Sequence, residues 1–323
     1  MDDMGSGGAR FEQKSKGGAA KILALVAIAL AALTVCACVI YITIYLRNYF
    51  SAERAAAPPT FQRDLRTGDP AEKGEMVFLN DGSMGEIWIP ALEGVLKNEY
   101  DLSAFSYNDG IIIYDKEGAV SAVGIDVSSY QGDIDWQRVK DFGIEFAMIR
   151  VGFRGYVYDN IKTDECFEKN IKGALGAGIK VGVYFFSQAI SEEEAAEEAA
   201  FVIGAIKDYK IDYPVVFDWE VIAHSDARTD DVSVRTLSDC AVAFCDAVER
   251  HGYTPMVYAN KRLAIFKYDL SKLKNYDFWV ADYNLVPTFF YKFEMWQYSE
   301  KGVVDGIEGF VDLNLCFVDY AAR

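Results

Sequence analysis

An irregular β/α barrel is the fold this sequence predicts, and three observations carry that expectation. From residue 122 onward, eight short apolar runs of strand composition recur to the end of the chain. The first six are separated by stretches long enough for helices, which implies right-handed crossovers and a parallel sheet. The last two follow their predecessors after about ten residues, too few for a helical crossover, so the C-terminal part should lack helices and pair antiparallel. The expectation is therefore about eight strands with about five helices. An open doubly wound sheet is the rival, although the glycine-rich fingerprint of nucleotide-binding versions is absent.

The elements follow in order. AVGIDVSSY (122–130) reads as the first strand, and Asp135 can cap a short helix that Gly143 ends. FAMIRVG (146–152) is the second strand, followed by a helix over 164–176 closed by Gly178. KVGVYFFSQ (180–188) is the third. Ser191-Glu192-Glu193-Glu194 forms a capping box that opens a helix running to about Tyr209, with the acidic run Glu192–Glu198 on a solvated face. YPVVFDWE (213–220) precedes a helix over 232–251 stopped by Gly252, and PMVYAN (255–260) precedes a helical stretch over 261–274. DFWVADY (277–283), EMWQYS (294–299) and FVDLNLC (310–316) complete the set.

Ahead of the barrel the sequence changes character. Residues 22–46 are 25 consecutive uncharged positions, which at about 1.5 Å per residue exceed the ~30 Å of a bilayer core. Arg10, Lys14, Lys16 and Lys21 precede them and favour an inside N-terminus, with everything after residue 46 outside the cell membrane. The domain reading is a cytoplasmic tail (1–21), a single transmembrane helix (22–46), a Pro/Ala/charge-mixed stalk (47–74), a small β-rich accessory region (75–121) and the barrel (122–323). A cleaved signal peptide is the alternative, but its apolar region is normally shorter. Asn-Asp-Gly at 80–82 and the Asn-Asp-Gly at 108–110 are hairpin signals within the accessory region.

Composition excludes several functions. Lys and Arg number 32 against 49 Asp and Glu, a net charge of −17, which repels nucleic-acid phosphates. The two histidines, His224 and His251, cannot make a three-histidine zinc site, and six cysteines are too few for a disulfide scaffold. No metal or cofactor is expected.

What remains is acid chemistry. Barrel enzymes work at the carboxyl ends of their strands, where this chain places Asp126, Asp218, Glu220, Asp282 and Asp312. Asp218 and Glu220 lie two apart, so on a strand their side chains point the same way with Cα atoms ~6.6 Å apart. Two carboxylates after an apolar run are costly in a core, and crowding makes one keep its proton. A glycosidic bond needs such a pair, one acid to protonate the leaving oxygen and one carboxylate to meet the developing positive charge. Aromatic residues at the same ends (Tyr130, Tyr184, Phe186, Trp219, Tyr258, Tyr283, Trp296, Tyr298) suit the apolar faces of sugar rings, and Gln297 suits their hydroxyls.

The motifs Gly124-Ile125-Asp126-Val127-Ser128 with Gln131-Gly132, Phe146-Ala147-Met148-Ile149-Arg150 and Pro214-Val215-Val216-Phe217-Asp218-Trp219-Glu220 resemble glycoside hydrolase family 25, the Chalaropsis-type lysozymes. Val257-Tyr258, Trp279-Val280-Ala281, Trp296-Gln297-Tyr298 and Val311-Asp312-Leu313-Asn314 continue the resemblance in order, over about residues 122–320. One departure is Tyr184-Phe185-Phe186, where family members often have Tyr-His-Phe. The resemblance implies an irregular eight-stranded barrel that cuts, without metal, the β-1,4 bond between N-acetylmuramic acid and N-acetylglucosamine in peptidoglycan strands. It implies Glu220 as general acid and Asp218 as second catalytic carboxylate. Asp126 and Asp312 would share the pocket, and Tyr184, Tyr258 and Tyr283 would surround the cleaved bond. Trp296 and Gln297 are added as substrate-binding candidates from their own chemistry at the strand ends. Direct attack by the carboxylate and assistance by the substrate's own acetamido group both stay open. So do a glycan-binding module without turnover and a chitinase-like glycosidase.

Overall fold

In the computed structural model, residues 75–80, 86–108, 110–222 and 227–323 are described. The expected cytoplasmic tail, transmembrane helix and stalk lie outside the described residues. Among the described residues no helix is long and apolar enough to cross a membrane.

Two antiparallel hairpins open the described chain: β1 (Met76–Asn80) with β2 (Glu86–Pro90), and β3 (Phe105–Asn108) with β4 (Ile111–Tyr114). β5 (Ala122–Val127) then begins the barrel and leads through α1 (Trp136–Phe142) to β6 (Phe146–Arg154). Asp135 caps α1 by accepting from Arg138 N, and Gly143 ends it at φ 111°, a conformation that an L side chain rarely adopts. An unexpected short strand, β7 (Ile161–Thr163), folds back antiparallel on β6 before α2 (Phe167–Gly176).

β8 (Lys180–Ser187) is followed by α3 (Glu192–Ile206), and β9 (Val215–Trp219) by α4 (Val234–Arg250). Ser191 accepts from Glu194 N at the head of α3, as the capping box predicts, while the Glu194 carboxylate accepts from Ile190 N. After β10 (Pro255–Asn260) the expected single helical stretch is two pieces, α5 (Lys261–Phe266) and α6 (Leu270–Leu273), because Asp269 caps a second start. β11 (Asp277–Ala281), β12 (Met295–Gly302) and β13 (Val311–Cys316) finish the barrel without helices between them.

Eight strands close the barrel in the order β5-β13-β12-β11-β10-β9-β8-β6, with β6 pairing back to β5. β13 runs antiparallel to both β12 and β5. β12 departs from expectation: it pairs parallel with β11 although no helix joins them. An irregular loop over 282–294 makes that return, so the connection keeps its length and loses only its helix.

Strand alternation divides the apolar residues into two cores. One fills the barrel: Phe146 stacks on Tyr213 with centroids 4.5 Å apart, below Met148, Val216, Met256, Trp279 and Met295. A Cβ on Gly124 would lie 2.3 Å from the Phe146 ring, so glycine there is what lets the ring occupy the interior. The other core lies outside the sheet under the helices, where Val183, Phe185, Val215 and Phe217 face Val202, Leu237 and Phe244. Cys240 and Cys245 are buried in this layer and unbridged.

The hairpins and the segment between them take the place of the missing helices. Lys292 N donates to Leu96 O at 2.9 Å, Asn98 N to Phe290 O at 2.9 Å, and the Tyr100 hydroxyl to Phe293 O at 2.7 Å. Tyr100 stacks on Phe317 at 4.0 Å, and Phe105 meets Trp296 edge-on at 5.6 Å. The accessory region is thus the outer cover of β11–β13.

Candidate active site

At the carboxyl ends of the parallel strands lies a cavity of about 460 Å³, within the range of small-ligand sites. Asp126, Asp218, Glu220 and Asp312 all line it, with Tyr130, Tyr184, Phe186, Tyr258 and Tyr283. Asp312, expected at a carboxyl end, sits instead near the amino end of β13, which reaches the same rim because it runs antiparallel. Four carboxylates from three distant parts of the sequence therefore share one space open to water.

Asp126 and Asp312 face each other as a cross-strand pair between β5 and β13. Asp126 Oδ2 accepts from Gln297 Nε2 at 2.9 Å and from Asn314 Nδ2 at 2.8 Å. Behind these donors stands a second set. Trp279 Nε1 donates to Asn314 Oδ1 at 2.9 Å, and the Tyr258 and Tyr283 hydroxyls each donate to Gln297 Oε1 at 3.0 Å. Burial raises the Asp126 carboxyl, and its hydrogen bonds from Asn314 and Gln297 oppose that rise by favouring the anion. Asp312 is pushed up to about 9 by burial and by the neighbouring Asp126, with which it shares a hydrogen bond. A protonated Asp312 beside an ionised Asp126 satisfies both groups.

Asp218, the last residue but one of β9, faces inward, 4 % exposed, and its Oδ1 has no hydrogen-bond partner among the described residues. Burial first, then Glu220 and Asp126, lift its carboxyl well above the usual range, while Arg150 opposes them. Glu220 is raised by burial and by Asp126. Like charges crowded together and largely buried cannot all ionise, so the cluster retains protons at neutral pH that a solvated set would lose.

The rim is built locally. Ser128 and Gln131 form a reciprocal cap around the 129–131 turn, which leaves Tyr130 86 % exposed at the mouth. The Arg150 guanidinium lies 5.1 Å from the Tyr130 ring and is held by Asp164, with Nε to Oδ2 at 2.8 Å.

Several expected residues are placed elsewhere. Trp296 is not in the cavity: it is 0 % exposed on the outer face of β12, its Nε1 donating to Asp282 O at 2.7 Å. The cause is period-two alternation, since Gln297 points inward and its neighbour must point out. Trp219 and Tyr298 are buried in the outer core for the same reason. Gln297 does line the cavity, yet its amide oxygen is taken by two tyrosines and its nitrogen by Asp126. Asp282 is a loop clamp that accepts from Lys261 Nζ at 3.1 Å and Thr288 N at 2.6 Å. The acidic run on α3 is only partly solvated. Glu198 is fully buried and accepts from Arg154 Nε at 2.6 Å and the Ser187 hydroxyl at 2.6 Å.

Arg150, Trp279 and Asn314 entered the sequence reading only as motif letters, and Phe153, Tyr156 and Glu300 not at all; all but Asn314 line the cavity. Asn314 carried a usable signal, being two residues after Asp312 on a strand. Tyr156 and Glu300 carried none, because loop path and a β-bulge after Gln297 decide where they point.

An eight-stranded barrel with clustered acids and aromatic rings at its strand ends is the architecture of a glycoside-cleaving enzyme class. The model of glycosyl hydrolases family 25 matches residues 125–307, more than half of the chain, and the chain belongs to that family. It is 30% identical over 193 residues to an autolytic lysozyme of Clostridium acetobutylicum, covering 59% of this chain and 54% of that protein. It is 30% identical over 206 residues to lysozyme M1 of Streptomyces globisporus, covering 59% and 66%. The chain thus spans about half the length of the clostridial relative. Among solved structures, the modular autolysin LytC of Streptococcus pneumoniae superposes with a TM-score of 0.55 at 24% identity, over 76% of this chain and 56% of LytC. A family 25 glycosyl hydrolase of Bacillus anthracis gives 0.51 at 24% identity, over 63% and 92%. At these identities the two structures speak for the fold.

Proposed function

We propose that the chain is a membrane-anchored muramidase that hydrolyses the β-1,4 bond between N-acetylmuramic acid and N-acetylglucosamine in peptidoglycan. The observation that carries this reading is the convergence of Asp126, Asp218, Glu220 and Asp312 on one aromatic-rimmed cavity. Membership of family 25 and the lysozyme names of two relatives support it.

In this reading Glu220 is the general acid. Its raised carboxyl stays protonated at a pH where an exposed glutamate would be ionised, and it gives that proton to the leaving oxygen. Asp218 meets the positive charge that develops at the sugar carbon, by attack or by holding the substrate's acetamido group. Asp126, whose anionic form the Gln297 and Asn314 donors favour against the effect of burial, adds negative potential from the opposite wall. Tyr130 and Tyr283 offer ring faces to the sugars at the mouth, with Tyr184 and Tyr258 deeper in.

The full-length protein should release reducing ends from purified peptidoglycan, and Glu220→Gln should lower that rate by about 10²-fold or more with unchanged thermal unfolding. Equal activity in the variant removes the assignment. Mass spectrometry should find muramic acid at the new reducing ends. Comparable cleavage of plain N-acetylglucosamine polymers would favour the chitinase-like reading, and binding without release the non-catalytic one. The anchor at residues 22–46, with its inside N-terminus and outside barrel, rests on apolar length and flanking charge. Full-length protein should sediment with membranes, and recovery of the mature chain free in the medium overturns that part.

A further inference from the structure

The strand that carries the catalytic pair does not reach its end. β9 stops at Trp219, where its last ladder pairs are Ser187 with Trp219 on one side and Tyr258 with Asp218 on the other. Asp218 is thus held by the sheet, while Glu220 stands one residue beyond the ladder. A general acid must lie within hydrogen-bond reach of the oxygen it protonates, so something else has to fix this residue.

The Gln188 side chain is placed to do so. It is fully buried, just past the end of β8, and its Nε2 donates to Glu220 O at 3.0 Å and to Ser187 O at 2.9 Å. Its Oε1 accepts from the Thr229 hydroxyl at 2.9 Å, and Thr229 is itself buried, in the segment that follows Glu220. The surrounding backbone is pinned as well. Arg228 Nη1 donates to Gln188 O at 3.3 Å while gripping Glu194, and the Ser187 hydroxyl is bound to Glu198. Two carbonyls demand donors and one hydroxyl supplies a proton, so the amide has a single satisfied orientation.

We propose that Gln188, oriented by Thr229, is a positioning residue for Glu220: its amide replaces the ladder hydrogen bond that β9 lacks and holds the acid at the mouth of the cavity. It touches the backbone of Glu220 and not the substrate, so it governs the chemical step more than binding. This inference rests on Glu220 being the acid.

The test is steady-state hydrolysis of solubilised glycan strands by the full-length chain and its variants. Gln188→Met keeps length and removes both polar ends. It should lower kcat about 10-fold or more, because small misplacements of a catalytic group are costly, with KM within about twofold of the parent. Thr229→Val frees the amide to rotate and should lower kcat in the same direction by less. Thr229→Ser restores the hydroxyl and should recover the parental kcat. The valine–serine pair keeps the test valid should Gln188→Met fail to fold. Parental kcat in Gln188→Met, or equal kcat in the two Thr229 variants, overturns the positioning role. An inactive parent protein instead overturns the muramidase reading itself.

Discussion

From β5 to β10 the outer face of the barrel lies under helices, and Phe217 meets Phe244 of α4 at 5.3 Å. From β11 to β13 no helix is present, and the same duty falls to hairpins: Trp296 meets Phe105 at 5.6 Å, and Tyr298 takes a hydrogen bond from Ile112 N at 3.3 Å. Both arcs bury most of their outward residues. A barrel wall requires apolar cover, and the secondary structure of that cover is negotiable. The difference still has a consequence for the site. Free of crossover helices, β13 runs antiparallel between β12 and β5, which sets Asp312 opposite Asp126 and Asn314 within reach of it.

The comparison breaks most sharply at Trp296. Trp296→Ala removes an aromatic anchor of the hairpin cover and should cost about 3–5 kcal/mol in chemical denaturation, as Phe217→Ala should on the helical arc. Activity per folded molecule should be unchanged, since Trp296 lies outside the cavity. A lost or altered KM in folded Trp296→Ala would return this residue to the substrate side, and a negligible stability loss would show that the hairpins are ornamental.

A smaller effect probes the inner face of the same arc. The folded-state pKa of Asp312, about 9, lies above its ordinary value of 3.8. The folded protein therefore binds the extra proton, and the stability this group contributes is complete below pH 4 and lost as pH rises toward 9. Asp312→Asn carries no such penalty and keeps a donor for Asp126. Its Tm should match the parent near pH 3.5 and exceed it by a few degrees near pH 9. A constant difference across that range would mean that Asp312 is already ionised at neutral pH.

Much of this was legible in residue order. The barrel strands, the Asp135 and Ser191 caps and the terminators Gly143, Gly178 and Gly252 are local features, set by hydrogen bonds and dihedrals within a few residues. The candidate carboxylates were legible as acids at the ends of apolar runs. Trp296 and Gln297 show where that reading fails. Composition marks a strand end as aromatic, but a one-residue phase decides which side faces the sugars. Glu198 fails for another reason, because a charged helix face is solvated or buried according to what packs on it.

By itself, then, the chain order determined the eight strands, the caps and the Asp218–Glu220 spacing, because each depends on neighbours along the backbone. Only the closed barrel decided that Asp126 meets Asp312, that Gln297 serves the protein's own tyrosines, and that Gln188 reaches the carbonyl of Glu220. Those pairs lie 186, 14 to 39, and 32 residues apart. No local energy selects such partners; they are chosen when sheet closure brings the strand ends to one rim and buried polar groups must find each other there.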